Sequence, residues 1–400
     1  MPPNLQRFTS EASLKAAPSY TTPPPATAAL LSAEAVWAEM KHAWDNEDPN
    51  GRPTHFPSLT PYWSWLPDEV TVVTGWPGHG KSELMLQLML TKSVYEGWKW
   101  ALYVPENMPA RRIITKLVQS YVGQSANFKS PRRMSFGQYE DAARWVLEHF
   151  HLIDPRKAAT LTELLPVLRH AISTFGLQGY LIDPWNALAS NLREYGGRED
   201  EMLRAQLNEL LDFTEDLHQC GVVCAHPSGD ARTKDKEMSL RVPDQYSVSG
   251  GRMWANKVDN FLVVHRPYAD DDPTDTAVDF YARKIKQEGI VGMKTPKEGV
   301  RLNYERGTSR YFDPKLGHAP LDALAVQRYR QHSTNLPPVT GPAIPAPALA
   351  TPTGPPPPLR TAGPSAFADS LPAEELPVGW HPAGRTITLP TPEPLPDDPF

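Results

Sequence analysis

The chain has 400 residues, 40% of them apolar and 22% charged, which is enough for one large or two ordinary domains with packed cores. Of its formal net charge of −6, residues 331–400 carry most through six acidic residues and two arginines, leaving a nearly neutral body that neither favours nor excludes a nucleic-acid partner. No apolar signal-peptide core follows Met1-Pro2-Pro3-Asn4 and no uninterrupted apolar run could span a bilayer, so the expectation is a soluble, cytoplasmic protein with no membrane partner.

In chain order, residues 1–32 read as a flexible leader around Thr21-Thr22-Pro23-Pro24-Pro25. Residues 33–54 form a linker region opening with a helical pattern over Ala33 to Asp45, where Val36, Trp37, Met40 and Trp44 share one face. That face either packs on its own domain or docks on a neighbouring subunit. Residues 55–318 alternate strand and helix. Strand signals fall at Val70–Thr74, Ala101–Val104, His151–Ile153, Gly179–Ile182 and Val222–Ala225, with helical segments at Pro109–Val122, Tyr139–Phe150, Leu161–Phe175 and Glu199–Gln219. Such alternation implies an α/β fold with a mostly parallel sheet covered by helices on both faces. After residue 258 the signals at Phe261–Val264, Val278–Ala282, Val300–Tyr304 and Arg310–Phe312 lack intervening helices, so these strands are expected as antiparallel additions at one edge. The two cysteines, Cys220 and Cys224, are expected at a helix end and on the next strand, as buried free thiols in a reducing compartment. Residues 319–400 read as a proline-rich, disordered acidic tail, with 19 of the 44 prolines in residues 331–400.

The stretch Gly75-Trp76-Pro77-Gly78-His79-Gly80-Lys81-Ser82 fits G-x-x-x-x-G-K-[ST], follows the apolar run Val70-Thr71-Val72-Val73 and opens onto a helical pattern from Glu83. Between strand and helix this makes an anion site: successive backbone N–H groups point inward and the helix dipole favours negative charge. Gly75, Pro77, Gly78, His79, Gly80, Lys81 and Ser82 would bind the nucleotide, Lys81 at the β- and γ-phosphates and Ser82 at Mg²⁺. ATP and Mg²⁺ are the expected cofactors.

Ligands of open α/β sheets collect at the carboxyl ends of the strands. There, Pro105-Glu106-Asn107 offers Glu106 as a base for water attacking the γ-phosphate. The strand Tyr180-Leu181-Ile182 delivers Asp183 to hold metal-bound water opposite Ser82, with Asp154 in the similar Ile153-Asp154-Pro155 as competitor. Val222-Val223-Cys224-Ala225 delivers His226 as a sensor of the γ-phosphate.

Together these segments resemble the RecA-like hexameric replicative helicases of the DnaB type, especially the phage and Twinkle-like branch. Val73–Glu83 is similar to their Walker A, Val104–Asn107 to their catalytic-glutamate strand, Ile182-Asp183-Pro184-Trp185-Asn186 to their Walker B, and Ala225-His226-Pro227 to their sensor motif. The block Tyr246-Ser247-Val248-Ser249-Gly250-Gly251-Arg252-Met253-Trp254-Ala255-Asn256-Lys257-Val258-Asp259-Asn260, then Val263-Val264-His265-Arg266, is the most distinctive part of the likeness, which covers roughly residues 55–315.

The resemblance implies a RecA-like P-loop core, self-assembly into a hexamer, single-stranded DNA as partner and ATP hydrolysis coupled to unwinding. It also implies a lysine-x-arginine pair acting in trans on the neighbour's nucleotide. Lys284 falls on the family lysine, but Lys286 occupies the arginine position; it keeps the charge without the planar fork, so either Lys286 serves more weakly or Arg283 substitutes. DNA-channel loops would lie at residues 191–198, with Arg193 and Arg198, and 230–246, with Arg232, Lys234, Lys236 and Arg241. About 55 residues precede the core, implying a helicase domain without primase. The terminal Asp397-Asp398-Pro399-Phe400 is similar to the acidic Pro-Phe tip of bacterial single-stranded DNA-binding proteins, implying a replication partner. A RecA-like DNA-binding ATPase that acts as a switch or recombination mediator without unwinding is the alternative, and a small-molecule kinase is disfavoured because no acceptor lid is apparent.

Overall fold

A computed structural model describes residues 32–45, 51–229, 240–269, 271–272, 274–323 and 326–327. The described residues belong to the first of two compact units, residues 1–340; the second, residues 341–400, lies outside them, and so does the acidic Pro-Phe tip. The elements are α1 (Ala33–Asp45), β1 (Glu69–Thr74), α2 (Lys81–Glu96), β2 (Trp100–Tyr103), α3 (Arg111–Val122), α4 (Phe136–His149), β3 (Phe150–Leu152), α5 (Leu161–Phe175), β4 (Gly179–Ile182), α6 (Glu199–Asp216), β5 (Cys220–Cys224), α7 (Gly251–Lys257), β6 (Asn260–His265), β7 (Ala277–Ile285), β8 (Val300–Glu305) and β9 (Arg310–Phe312).

All nine strands join one sheet in the order β3-β2-β4-β5-β1-β6-β7-β8-β9. The pairs from β3 to β6 are parallel, while β6 with β7, β7 with β8 and β8 with β9 are antiparallel. The fold is therefore the expected α/β arrangement, with its antiparallel strands at one edge. Alternation of side chains along the central strands serves two cores. Val73, Leu102, Leu181, Val222 and Leu262 face the layer of α2, α3 and α4. Val72, Tyr103, Ile182, Val223 and Phe261 face that of α5, α6 and α7. Burial on both faces explains why the strands read as almost unbroken apolar runs.

Local signals set the helix ends. Ser135 with Gln138, and Thr160 with Glu163, form reciprocal capping boxes that start α4 and α5. Left-handed Gly97, Gly123 and Gly176 close α2, α3 and α5. Two expectations need correction. Cys220 is not at a helix end: α6 stops at Asp216, and both cysteines lie buried on β5, where Cys220 pairs with Glu69 and Gly179. The strand expected at Val278–Ala282 is longer, because β7 runs from Ala277 to Ile285 against β6 and so takes in Lys284. On α1, Trp37, Met40 and Trp44 are 64%, 59% and 86% exposed, so the described residues of its own domain do not cover this face.

At the amino ends of the parallel strands a buried ion cluster joins the aromatic core. Lys92 has a fully buried side chain, donates to Glu96 at 2.5 Å and to the carbonyl of Pro53 at 3.1 Å, and sits 4.7 Å from the Trp98 ring centroid. Glu96 also takes the His55 ring nitrogen at 2.7 Å. Burial pulls the Lys92 pKa down to about 8, with Glu96 opposing. Since the unfolded chain holds this proton up to the ordinary lysine value of 10.5, it binds more protons than the folded one between about pH 8 and 10.5. Folding stability carried by Lys92 is thus expected to rise across that window, by at most about 3 kcal/mol, and to stay flat below it. Urea unfolding at pH 7.5 and pH 10 checks this: the rise should exceed that of Lys92→Met, and equal rises would contradict it.

Candidate nucleotide and intersubunit site

Parallel pairing brings the ends of β1, β2, β4, β5 and β6 to one rim of the sheet. At the end of β1, Thr74 Oγ1 donates to the carbonyl of Ala225 at 2.8 Å, joining the loop entrance to the end of β5. Two positions of the loop require glycine. A Cβ on Gly75, at φ +153°, would lie 2.1 Å from the carbonyl oxygen of Val264, and one on Gly80, at φ +89°, would lie 2.6 Å from Tyr311 Oη. The amino-terminal N–H groups of the 16-residue α2 then begin at Lys81, directly behind the loop.

Lys81 is buried and its ammonium donates to the carbonyls of Gly75 at 2.7 Å and Trp76 at 3.3 Å. Burial lowers its pKa, with Cys224, Asp183 and Glu106 opposing. Asp183, beyond β4, is 3% exposed; burial pushes its carboxyl up, while the Ser82 hydroxyl and the Lys81 charge hold it down. Its Oδ2 is buried and has no hydrogen-bond partner among the described residues. A hard oxygen donor left unsatisfied beside a hydroxyl fits a Mg²⁺-bound water, and Ser82 and Asp183 are the residues that would hold the ion. Mg²⁺ there would neutralise phosphate charge. Asp154 has different surroundings. It is clasped by Arg156 through Nε at 2.9 Å and a terminal nitrogen at 2.7 Å, which holds its pKa down to about 2.

Glu106 lies in the single turn Pro105–Asn107 after β2, its side chain 60% exposed toward the rim. Its Oε2 is 3.8 Å from His226 Nε2, so the two groups named from separate strand ends come together. Burial and the Lys81 charge lower the His226 pKa, against Glu106 and Asp183, which favours a neutral ring. The backbone N–H of His226 donates to Asn186 Oδ1 at 3.0 Å, tying the end of β5 to the turn after Asp183. The sequence pattern around Asp183 carries no signal for this role of Asn186.

Beside the loop, an open cleft is lined by Gly78, Gly80, Arg266, Tyr304, Arg306 and Tyr311. The rings of Tyr304 and Tyr311 are 4.8 Å apart, and the N–H of Arg266 donates to His79 Nδ1 at 3.0 Å. Tyr304 on β8, Tyr311 on β9 and Arg306 just after β8 lie far along the chain from the glycine-rich motif, which hides their approach to it in the sequence; Arg266, just after β6, stands in the family-like block without a role of its own.

Lys284 and Lys286 lie elsewhere. Because β7 is antiparallel to β6, with Asp279 opposite His265 and Lys284 opposite Phe261, the end of β7 sits at the opposite rim. The separation along the strand is about 15 Å, beyond the reach of a lysine side chain to its own P-loop. Lys284 Nζ donates to the carbonyls of Ala255 at 2.8 Å and Val258 at 2.6 Å, closing the end of α7. Lys286 Nζ is 2.7 Å from buried Asp259, which raises its pKa. Arg283 lies 4.3 Å from the Tyr281 ring centroid.

Of the candidate channel residues, Arg193 sits exposed in a turn at 192–195 and Arg198 directly precedes α6 without a side-chain capping bond, paired with Asp200 at 2.8 Å and Glu201 at 3.2 Å. Arg241 is exposed, 3.8 Å from Asp244. Arg232, Lys234 and Lys236 lie outside the described residues.

The sheet order and the glycine-rich loop at its carboxyl rim define a RecA-like P-loop fold. Two solved structures share the fold: an ATPase domain, 13% identical with a TM-score of 0.57, covering 70% of this chain and 98% of that one, and a DnaB-like replicative helicase studied for its interactions with primase, 14% identical with a TM-score of 0.57, covering 70% and 68%. In sequence the chain is similar to a Twinkle homolog protein, chloroplastic/mitochondrial, of Arabidopsis thaliana, 27% identical over 287 residues. That match takes in 70% of this chain and 39% of the relative, so the chain spans about two fifths of the relative's length. No family model matches. The resemblance to DnaB- and Twinkle-type helicases thus extends from motifs to sequence and fold.

Proposed function

We propose that the chain is an ATP- and Mg²⁺-dependent motor that assembles as a ring, expected to be a hexamer, and translocates on single-stranded DNA during replication. One observation carries this reading. The P-loop, Glu106, Asp183 and His226 share one rim, while Lys284 and Lys286 sit at the other. A site divided in this way is complete only where one chain's amino rim meets another's carboxyl rim, as a head-to-tail ring requires. The uncovered Trp37, Met40 and Trp44 of α1 supply a second surface for the neighbour. In this reading Lys81 and the loop N–H groups hold the phosphates, the cleft of Tyr304 and Tyr311 takes the base and ribose, and Glu106 orients water toward the γ-phosphate. The basic residues Arg193, Arg198, Arg232, Lys234, Lys236 and Arg241 follow the DNA backbone.

Among the described residues no helix is long and apolar enough to cross a membrane. Replication partners, through the Asp397–Phe400 tip or a separate primase, belong to the same proposal. Strand separation and DNA-stimulated ATP hydrolysis by wild type, with Lys81→Ala as the inactive control, test it; an assembled oligomer that hydrolyses ATP on DNA yet never separates strands would sink it. That result would favour the switch or recombination-mediator reading, which draws support from Lys286 standing in place of an arginine and being held by its own Asp259.

A further inference from the structure

Lys286 is the first residue past β7, and its main chain is fixed on both sides. Before it, Ile285 is paired with Asn260 of β6. After it, the carbonyl of Gln287 accepts from the N–H groups of Ile290 at 3.2 Å and Val291 at 3.0 Å, and the Gly289 N–H donates to the Gly292 carbonyl at 2.9 Å. This turn is seated on the segment ahead of β1. Gly51 N–H donates to the Ile290 carbonyl at 3.0 Å and Ser64 Oγ to the Val291 carbonyl at 2.7 Å, while a Cβ on Gly292, at φ +154°, would lie 2.4 Å from the carbonyl of Tyr62. The freedom that remains is in the Lys286 side chain, which is 62% exposed.

One buried carboxylate restricts it. Asp259 is 3% exposed, and its N–H donates to the Val70 carbonyl at 3.2 Å while its Oδ2 accepts the Val70 N–H at 2.9 Å. The residue is thereby held on the start of β1, and its Oδ1 faces Lys286 Nζ at 2.7 Å. An unrestrained lysine stem has many rotamers, among which a bond to a fixed carboxylate selects. Of the three ammonium donors Asp259 takes one, so two remain for the oxygens of a phosphate. The nearby Glu69 is otherwise occupied, accepting from Asn260 Nδ2 at 2.7 Å and Gln287 Nε2 at 3.0 Å.

We propose that Asp259 is a positioning residue of the intersubunit reaction: it holds the Lys286 ammonium at the amino rim, ready for the phosphates bound by a second copy of this chain. The proposal rests on the reading of Lys286 as acting on a neighbour's nucleotide. Asp259 itself touches no phosphate and acts through Lys286 alone.

The test compares Asp259→Asn, Lys286→Gln and the double variant in the full chain, with thermal melting to verify folding. Asparagine keeps an acceptor for the Val70 N–H and removes the charge that holds the ammonium. The expected result for Asp259→Asn is a kcat lowered by about 10–100-fold, the loss for a misplaced group, with KM for ATP within about twofold of wild type. Asp259→Asn should add no further loss once Lys286 is glutamine. Mixed with Lys81→Ala chains, Asp259→Asn chains should exceed the sum of the separate rates, because an intact P-loop then meets an intact Asp259–Lys286 pair. A carboxylate that merely supports β1 would instead weaken ATP binding and give no recovery in the mixture.

Competitive acetylation of wild type, diluted below assembly and read by mass spectrometry, needs no substitution and so is independent of folding. Lys286 and Lys294 are each 62% exposed, Lys294 lying 4.0 Å from the more exposed Glu288. Lys286 should react about threefold or more slowly, because Asp259 retains the proton on its amine. Wild-type turnover in Asp259→Asn, a loss that mixing does not recover although that of Lys286→Gln is recovered, or equal acetylation of the two lysines overturns the proposal and leaves the trans reading in place. Failure of Lys286→Gln to recover in mixtures overturns that reading and the proposal with it.

Discussion

Exchanging Glu106 for glutamine is expected to leave MgATP bound and its turnover reduced by about 10²–10⁴-fold, the range lost with a positioned general base. The substitution keeps size and polarity at a side chain that is 60% exposed, so folding should be untouched. Lys81→Ala, by contrast, is expected to weaken triphosphate binding as well as turnover, because it removes a buried cation at the phosphate position while leaving the glutamate in place. Equilibrium binding of a fluorescent ATP analogue separates the two: affinity near wild type for Glu106→Gln and a clear loss for Lys81→Ala. Wild-type turnover in Glu106→Gln would move the base to another residue. His226, 3.8 Å away and favoured as a neutral ring, would be the first to examine.

The second large effect concerns Lys286. Lys286→Gln is expected to lower hydrolysis by about 10³-fold, the lower range for a cationic group acting on a neighbour's phosphate. Glutamine can still hydrogen-bond Asp259, so the loss would come from charge rather than from an orphaned carboxylate. Lys286→Arg is expected to match or exceed wild type, since the planar guanidinium offers a bidentate fork. The trans placement has its own signature. Lys286→Gln and Lys81→Ala chains, each inactive alone, should recover activity when mixed. Random mixing joins an intact P-loop to an intact lysine at roughly a quarter of interfaces in a head-to-tail ring. Steady-state ATPase assays of titrated mixtures measure this; strict additivity of two inactive proteins would contradict an action of Lys286 on the neighbour's nucleotide.

Much of this arrangement was legible in the sequence because it depends on short-range backbone patterns. A P-loop announces itself through glycines at fixed offsets, and Gly75 and Gly80 are glycines for the reason the structure gives: Val264 and Tyr311 leave no room for a Cβ. The parallel strands were readable from their apolar runs, since both faces are covered. Asp183 and Asp154 follow nearly the same local pattern, and only position separates them. One lies buried near β1, with an unsatisfied oxygen, and the other follows the outermost strand in the grip of Arg156.

Less legible were features set by register or distant pairing. The start of β5 was assigned to a helix end because Gln219 and Cys220 carry no strong strand signal; backbone pairing with β1 and β4 decides it. The seven-residue α7 begins at glycines without a side-chain cap and is anchored by buried Trp254, which no periodicity that short reveals. That Lys284 and Lys286 face away from their own P-loop follows only once β7 is known to run antiparallel to β6. The contact of Trp76 with Arg241 has no local signature, since its acceptor is a main-chain carbonyl that any residue could provide.

The division of the site between two rims is tested most directly by native mass spectrometry of the full chain with a non-hydrolysable ATP analogue and single-stranded DNA, read beside its ATPase rate as concentration is varied. A closed hexamer on one DNA strand, with activity that falls as dilution dissociates it, is the predicted result. Monomers that hydrolyse ATP at undiminished rate would contradict a site completed by the neighbour's Lys284 and Lys286.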